Sequence, residues 1–236
     1  MTNSVSDFVF PPALPVTVPV RDSALRYAVR RIFCVGRNYA AHAREMGSDP
    51  DREAPFYFAK TPAHLVQSGA TVAYAPGTQN LHHEVELVIA LGQPVFRATP
   101  EQAQGSVWGY ACGLDMTRRD LQITARDAGR PWTLGKDFEH AAVVGALLPA
   151  SRVARPGQGA ITLRVNGQLR QQGDLSSMIW RVPEIVANLS GHYHLQPGDL
   201  IYTGTPEGVG PVRPGDRLEG SIEGVGEVVL HIGAAE

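Results

Sequence analysis

Turn chemistry constrains this chain more than any other feature of it. Glycine and proline supply 25 and 18 of its 236 residues. They recur at short intervals, in Pro76-Gly77, Asn166-Gly167, Pro197-Gly198-Asp199, Pro214-Gly215-Asp216 and Gly224-Val225-Gly226. Proline pre-sets the φ of a turn's first central residue and glycine or asparagine accepts the positive φ of the second, so each site reverses the chain. Between these sites lie short apolar runs, at 31–35, 56–60, 71–74, 81–92, 107–115 and 161–170, and runs of that length read as strands. Asn166-Gly167, flanked by alternating residues, is the strongest hairpin signal. Helical patterns are few. One covers 38–47, with Asn38 as N-cap and Gly47 just past its end; a second starts at Thr99-Pro100. A third is opened by Thr117-Arg118-Arg119-Asp120, read as a capping box, and runs to about Asp127; a fourth covers 182–189. There is no long βαβ alternation, dinucleotide fingerprint or P-loop. The expected fold is α+β, mainly β, with a few short helices. Residues 8–20 are too proline-rich for a central strand, so residues 1–29 are expected to form an extended arm or edge strands ahead of one domain over 30–236.

With 43% hydrophobic residues the chain can bury a sizeable core. A net charge of −2 with no visibly basic face argues against nucleic acid or an anionic membrane as a partner. Cys34 and Cys112 sit in apolar runs without metal or redox spacing, so buried reduced thiols are expected. No basic residue precedes the short N-terminal apolar run, which Pro11, Pro12, Pro15 and Pro19 interrupt; with no signal peptide or membrane span readable, the expectation is cytoplasmic.

Chemistry concentrates in Leu81-His82-His83-Glu84-Val85-Glu86-Leu87-Val88-Ile89. As one strand it places His82, Glu84, Glu86 and Val88 on one face, and Val85, Leu87 and Ile89 on the other. Carboxylates at i and i+2, roughly 6 to 7 Å apart at Cβ, repel unless solvent or a cation separates them. Two readings follow: a half-buried strand with solvated glutamates, or a seat for a hard divalent ion. In 107–115 the bulky Trp108, Tyr110, Cys112 and Leu114 share a face, while Gly109, Ala111, Gly113 and Asp115 share the other. That bare face admits another backbone or a ligand, and Asp115 is either a third acidic ligand or the lead into a helix. His42 and Glu45 meet on one helical face, as an oriented general base or an ordinary exposed pair. Their helix is marginal without packing and is followed by turn-rich 48–55, an arrangement suited to a lid. Lys60 reads as a strand-end surface lysine and Lys136 as a solvated loop lysine. The loop Thr203-Gly204-Thr205-Pro206-Glu207-Gly208 is either a plain turn or an anion grip made of N–H groups and a Thr hydroxyl.

Taken together, Gly36-Arg37-Asn38-Tyr39 with His42 and Glu45, His83-Glu84-Val85-Glu86, Leu114-Asp115-Met116-Thr117, Trp132-Thr133-Leu134-Gly135-Lys136, Val165-Asn166-Gly167, Ser176-Ser177-Met178-Ile179 and Thr203–Gly210 resemble, in order, the fumarylacetoacetate hydrolase family. The acylpyruvate hydrolase branch is the most similar: the expectation is a chain without the separate N-terminal domain of the longer fumarylacetoacetases, and the family's Lys-Pro reads here as Lys60-Thr61-Pro62. The resemblance implies a mixed β-sandwich roll, a homodimer, and Mg²⁺ or Mn²⁺ as cofactor, with Ca²⁺ as an in vitro substitute. It implies Glu84, Glu86 and Asp115 as metal ligands, and His42 with Glu45 as a lid dyad that activates water. It further implies Lys136 as a catalytic cation, and Arg37, Arg119, Gln122 and Thr205 as contacts for a 2-oxo acid substrate. The implied reaction splits the carbon–carbon bond of a 1,3-diketo acid, fumarylpyruvate foremost, to pyruvate and a carboxylic acid, within aromatic compound catabolism. Its rivals are an oxaloacetate decarboxylase or 2-oxo acid isomerase using the same metal site, and a catalytically silent metabolite-binding domain.

Overall fold

The computed structural model describes residues 8–45 and 53–236. In chain order its strands and helices are β1 (Thr17–Pro19), β2 (Arg26–Ala28), β3 (Arg31–Gly36), α1 (Ala40–Glu45), β4 (Phe56–Lys60), β5 (Leu65–Gln67), β6 (Ala70–Tyr74), β7 (Leu81–His83), β8 (Val85–Leu91), α2 (Pro100–Gly105), β9 (Val107–Asp115), β10 (Thr117–Arg118), α3 (Arg119–Asp127), α4 (Thr133–Lys136), β11 (Ala142–Val144), β12 (Leu148–Pro149), β13 (Ala160–Val165), β14 (Gln168–Asp174), α5 (Val182–Ser190), β15 (Asp199–Tyr202), β16 (Gly210–Pro211), β17 (Arg217–Ile222) and β18 (Gly226–Ala235).

An eight-stranded sheet runs β4-β3-β15-β8-β9-β11-β5, with β12 also paired to β9. A five-stranded sheet, β14-β13-β17-β18-β6, stacks against it. Leu163, Leu218 and Leu230 on one side join Val85, Leu87 and Cys112 on the other in a single core. The layers are close: a Cβ on Gly220 would lie 3.1 Å from Val85 and 3.3 Å from Cys112. Asn166 and Gly167 both have positive φ, 52° and 78°, joining β13 to β14 as their turn chemistry requires.

The 81–92 run is not one half-buried strand. It breaks at Glu84 into β7, which pairs with β10 and β16 in a separate three-stranded sheet, and β8, which lies between β15 and β9. Every residue of β8 is buried, because a second cluster containing Val88, Ala90, Ala111, Val144 and Tyr202 covers the face that the sequence left open to solvent. The bare face of β9 admits that cluster: a Cβ on Gly113 would fall 2.9 Å from the Tyr202 ring.

Two local readings give way to distant partners. Asn38 does not cap α1; its amide accepts from Trp180 N at 2.7 Å and donates to the carbonyls of Trp180 and Thr203 at 2.9 and 2.8 Å. Thr117 lies in β10, so α3 starts from Arg118 with no side-chain cap, and Asp120 instead accepts from Thr78 Oγ1 and Gln79 N. By contrast, the Thr99 capping box forms with Pro100 first in α2. Gly47 lies outside the described residues. The proline-rich arm forms β1 against β2 and bonds to Leu147, with Val18 buried. Cys34 and Cys112 are buried and free. Among the described residues no helix is long and apolar enough to cross a membrane.

Candidate metal centre

Strand register sets the acids side by side. Glu86 stands on β8 opposite Gly113 of β9, and Asp115 closes β9, its N–H donating to Glu84 O at 2.9 Å. One carboxylate oxygen from each of Glu84, Glu86 and Asp115 lies within 4.8 Å of the others, and exposure is 4%, 2% and 0%. Three like charges so close and so dry demand compensation.

Three buried cations supply most of it. Lys136 Nζ donates to Glu84 Oε2 and Asp115 Oδ2, both at 2.7 Å, and to Thr117 Oγ1 at 2.8 Å. Arg119 pairs with Glu84 Oε1 and donates to Gln122 Oε1 at 3.1 Å. Lys60 Nζ sits 2.8 Å from Asp115 Oδ1 and donates to the carbonyls of Met116, at 3.1 Å, and Lys136. The Lys60–Asp115 contact is an ion pair without hydrogen-bond alignment, so Asp115 Oδ1 keeps an unused acceptor site. Glu86 has no cation within ion-pair distance among the described residues; its Oε2 accepts from Gly204 N at 2.7 Å.

The titrations follow this division. Burial alone would raise the Glu84 carboxyl, but Lys136 and Arg119 outweigh it and hold the group below the carboxylate range. Glu86 is pushed well above that range by burial and by the Asp115 and Glu84 charges. Burial pulls the Lys136 ammonium down, and Asp115 with Glu84 more than restores it. Such an oxygen set, with one acid short of positive charge and another offering a free lone pair, fits a hard divalent cation.

Above the acids, His42 is 6% exposed and Glu45 Oε2 lies 3.1 Å from its Nδ1. Both Glu45 oxygens also accept from Gly208 N at 3.2 Å. The loop 203–210 thus grips acids belonging to the protein, Glu86 through Gly204 and Glu45 through Gly208, rather than an open anion site. Thr205 donates to Val85 O and accepts from Gln171 Nε2, both at 2.8 Å. Arg37, His42, Arg119, Gln122, Lys136 and Thr205 all line the cavity over the acids. The structure therefore gathers every residue the resemblance named; Glu45 reaches the cavity through its bond to His42.

Two expectations are corrected. Lys60 is 2% and Lys136 4% exposed, neither on the surface nor solvated, because the acids draw both ammonium groups inward. Lys60 was missed as part of the site, although a lysine closing the Phe-rich run 56–60 was a visible oddity. Gln171, 0% exposed, joins His83 Nδ1 to Thr205; nothing in Arg170-Gln171-Gln172 signals it.

The family model for the C-terminal region of fumarylacetoacetate (FAA) hydrolase matches residues 31–232. This chain belongs to the fumarylacetoacetate hydrolase family. Within the family it is 55% identical over 193 residues, 81% of its own length and 100% of the relative's, to a fumarylpyruvate hydrolase of Ralstonia sp. It is 42% identical over 204 residues, 86% of this chain and 91% of the other, to the mitochondrial oxaloacetate tautomerase FAHD1 of Homo sapiens. The crystal structure of fumarylpyruvate hydrolase from Pseudomonas aeruginosa in complex with Mn²⁺ and pyruvate has a TM-score of 0.93 at 49% identity, covering 96% of this chain and 99% of that one.

Proposed function

We propose that this chain is a divalent-metal-dependent hydrolase that cleaves the carbon–carbon bond of acylpyruvates, fumarylpyruvate foremost, giving pyruvate and a carboxylic acid. The observation that carries the reading is the convergence of Glu84, Glu86 and Asp115 beneath the His42–Glu45 pair, in a chain 55% identical to a fumarylpyruvate hydrolase. Glu84, Glu86 and Asp115 would hold the ion, Mg²⁺ or Mn²⁺; the Pseudomonas aeruginosa relative carries Mn²⁺. When bound, the cation supplies Lewis acidity toward the carboxylate and keto oxygen of a 2-oxo acid.

The chain's own groups perform the rest. With its Nδ1–H donated to Glu45, His42 keeps Nε2 as a base over the cavity. It takes a proton from water, and the resulting hydroxide adds to the distal carbonyl carbon. When that centre collapses, the C–C bond electrons pass to the pyruvate half as an enolate, which is then protonated at carbon. The Lys136 ammonium, already among acids, is placed to face the developing negative oxygen. Arg119, steadied by Gln122, with Arg37 and Thr205, orients the substrate. Seating α1 through Glu45 and Gly208 excludes bulk water during the addition.

Similarity to an oxaloacetate tautomerase favours a second reading on the same site, in which oxaloacetate is isomerised or decarboxylated without water attack. Chelator-treated protein reloaded with Mg²⁺ or Mn²⁺, given fumarylpyruvate and oxaloacetate in parallel, separates them. Stoichiometric pyruvate and fumarate support the hydrolase. Keto–enol exchange or CO₂ release from oxaloacetate, with fumarylpyruvate intact, rejects it. The same reading includes residues 30–236 as the catalytic domain with 1–29 as its arm, a role in aromatic compound catabolism, and a cytoplasmic homodimer, whose mass light scattering would measure.

A further inference from the structure

Two cavities meet at the site. The one over the acids measures about 40 Å³, room for about three waters at ~10–15 Å³ each. The other measures about 560 Å³. Arg37, Phe58, Trp132 and Lys136 line both. The cavity over the acids is the tighter of the two, so an acylpyruvate whose pyruvoyl end reaches the acids would extend its acyl group past the shared Arg37, Phe58, Trp132 and Lys136 into the larger one.

The larger cavity has a definite chemistry. Phe56 and Trp132 meet edge to face, centroids 5.2 Å apart at 89°, and Phe58 lies 6.0 Å from Trp132. Flat aromatic walls suit a planar, conjugated chain. Asp137, the acid lining this cavity, is already engaged, accepting from Thr61 N and Thr61 Oγ1 at 2.7 Å and lying 2.7 Å from His64 Nδ1. Arg37 is stacked over Phe56, its guanidinium carbon 4.8 Å from the ring centre. Arg130 also lines the cavity and is exposed; among the described residues its guanidinium makes no ion pair or hydrogen bond. A planar guanidinium in that position matches a carboxylate at the far end of the chain.

We infer that the larger cavity is the acyl subsite, and that Arg130 selects acyl groups that are planar and end in a carboxylate. This rests on the acylpyruvate reading and names the substrate class within it. The test compares Arg130→Ala and Arg130→Lys with the parent enzyme on fumarylpyruvate and on acetylpyruvate, whose acyl group ends in a methyl. For Arg130→Ala the kcat/KM ratio of fumarylpyruvate to acetylpyruvate is expected to fall tenfold or more, chiefly through KM for fumarylpyruvate. Arg130→Lys should recover part of the ratio. Fumarate, read as a product inhibitor, should weaken in Arg130→Ala by the same factor while pyruvate does not. A ratio unchanged by Arg130→Ala, or equal losses on both substrates, overturns the inference and leaves the hydrolase reading standing. If the parent hydrolyses neither substrate, that reading falls instead, and fumarate titrated by calorimetry onto the Mn²⁺-loaded protein decides the subsite. Binding lost in Arg130→Ala supports it; no binding to the parent, or equal binding to both, removes it.

Discussion

Glu84, Glu86 and Asp115 stand where two neighbouring strands of the large sheet end, locked by ladder hydrogen bonds and buried cations, whereas His42 and Glu45 stand on the six residues of α1. In the first region nothing shifts without exposing an unpaired charge to a dry interior. In the second, Glu45 accepts from Gly208 N and His42 is buried over the cavity, so the pair is held by a loop rather than by a strand ladder. The contrast teaches how one site combines acids fixed by strand register with a His42–Glu45 pair held from a neighbouring loop.

The largest effect expected is on the fixed side. Lys60→Met removes the ammonium beneath Asp115 and leaves two carbonyls without their donor, and should cost about 3–5 kcal/mol of stability. Urea denaturation measures it, and added Mn²⁺ should return part of the loss by restoring positive charge. Equal stability of variant and parent would mean that Lys136 alone compensates the acids. On the His42 side, His42→Ala should lower kcat at least ~10²-fold while leaving Mn²⁺ affinity within about threefold. Comparable loss of both would erase the distinction between the two regions. Glu86→Gln sharpens it: Mn²⁺ affinity by calorimetry should fall about 10- to 100-fold or more. Metal-free stability should hold, because the amide resembles the protonated acid that burial already favours. The smallest effect expected is from Gly208→Ala. Its φ is +89° and a Cβ would fall 2.2 Å from Arg170 O, so the loop must shift and its N–H must leave Glu45, at about 1–3 kcal/mol. That loss should appear in kcat rather than in metal affinity.

Where structure is made by neighbours in sequence, the chain could be read directly. Asn166-Gly167 and both Pro-Gly-Asp turns deliver β14, β15 and β17 as expected, and Thr99-Pro100 opens α2, because turn and cap chemistry is settled within four residues. Asn38 shows the limit: its partners are 142 and 165 positions away, and they outbid the local cap. The break at Glu84 is set the same way, by β10 and β16 pairing with β7. The acids were recognisable as a group through spacing and resemblance. The burial of Lys60 and Lys136 was not, since their counter-charges come from other strands and a lysine judged by its own neighbours belongs in water.

The loop 203–210 holds Glu86 through Gly204 and Glu45 through Gly208, N–H groups four positions apart. A single short stretch of backbone therefore acts as the gauge between the His42–Glu45 pair and the acids. The length of the chain joining α1 to β4 does not enter that measurement, so a change of length there is expected to leave the His42–Glu45 pair in register with the acids.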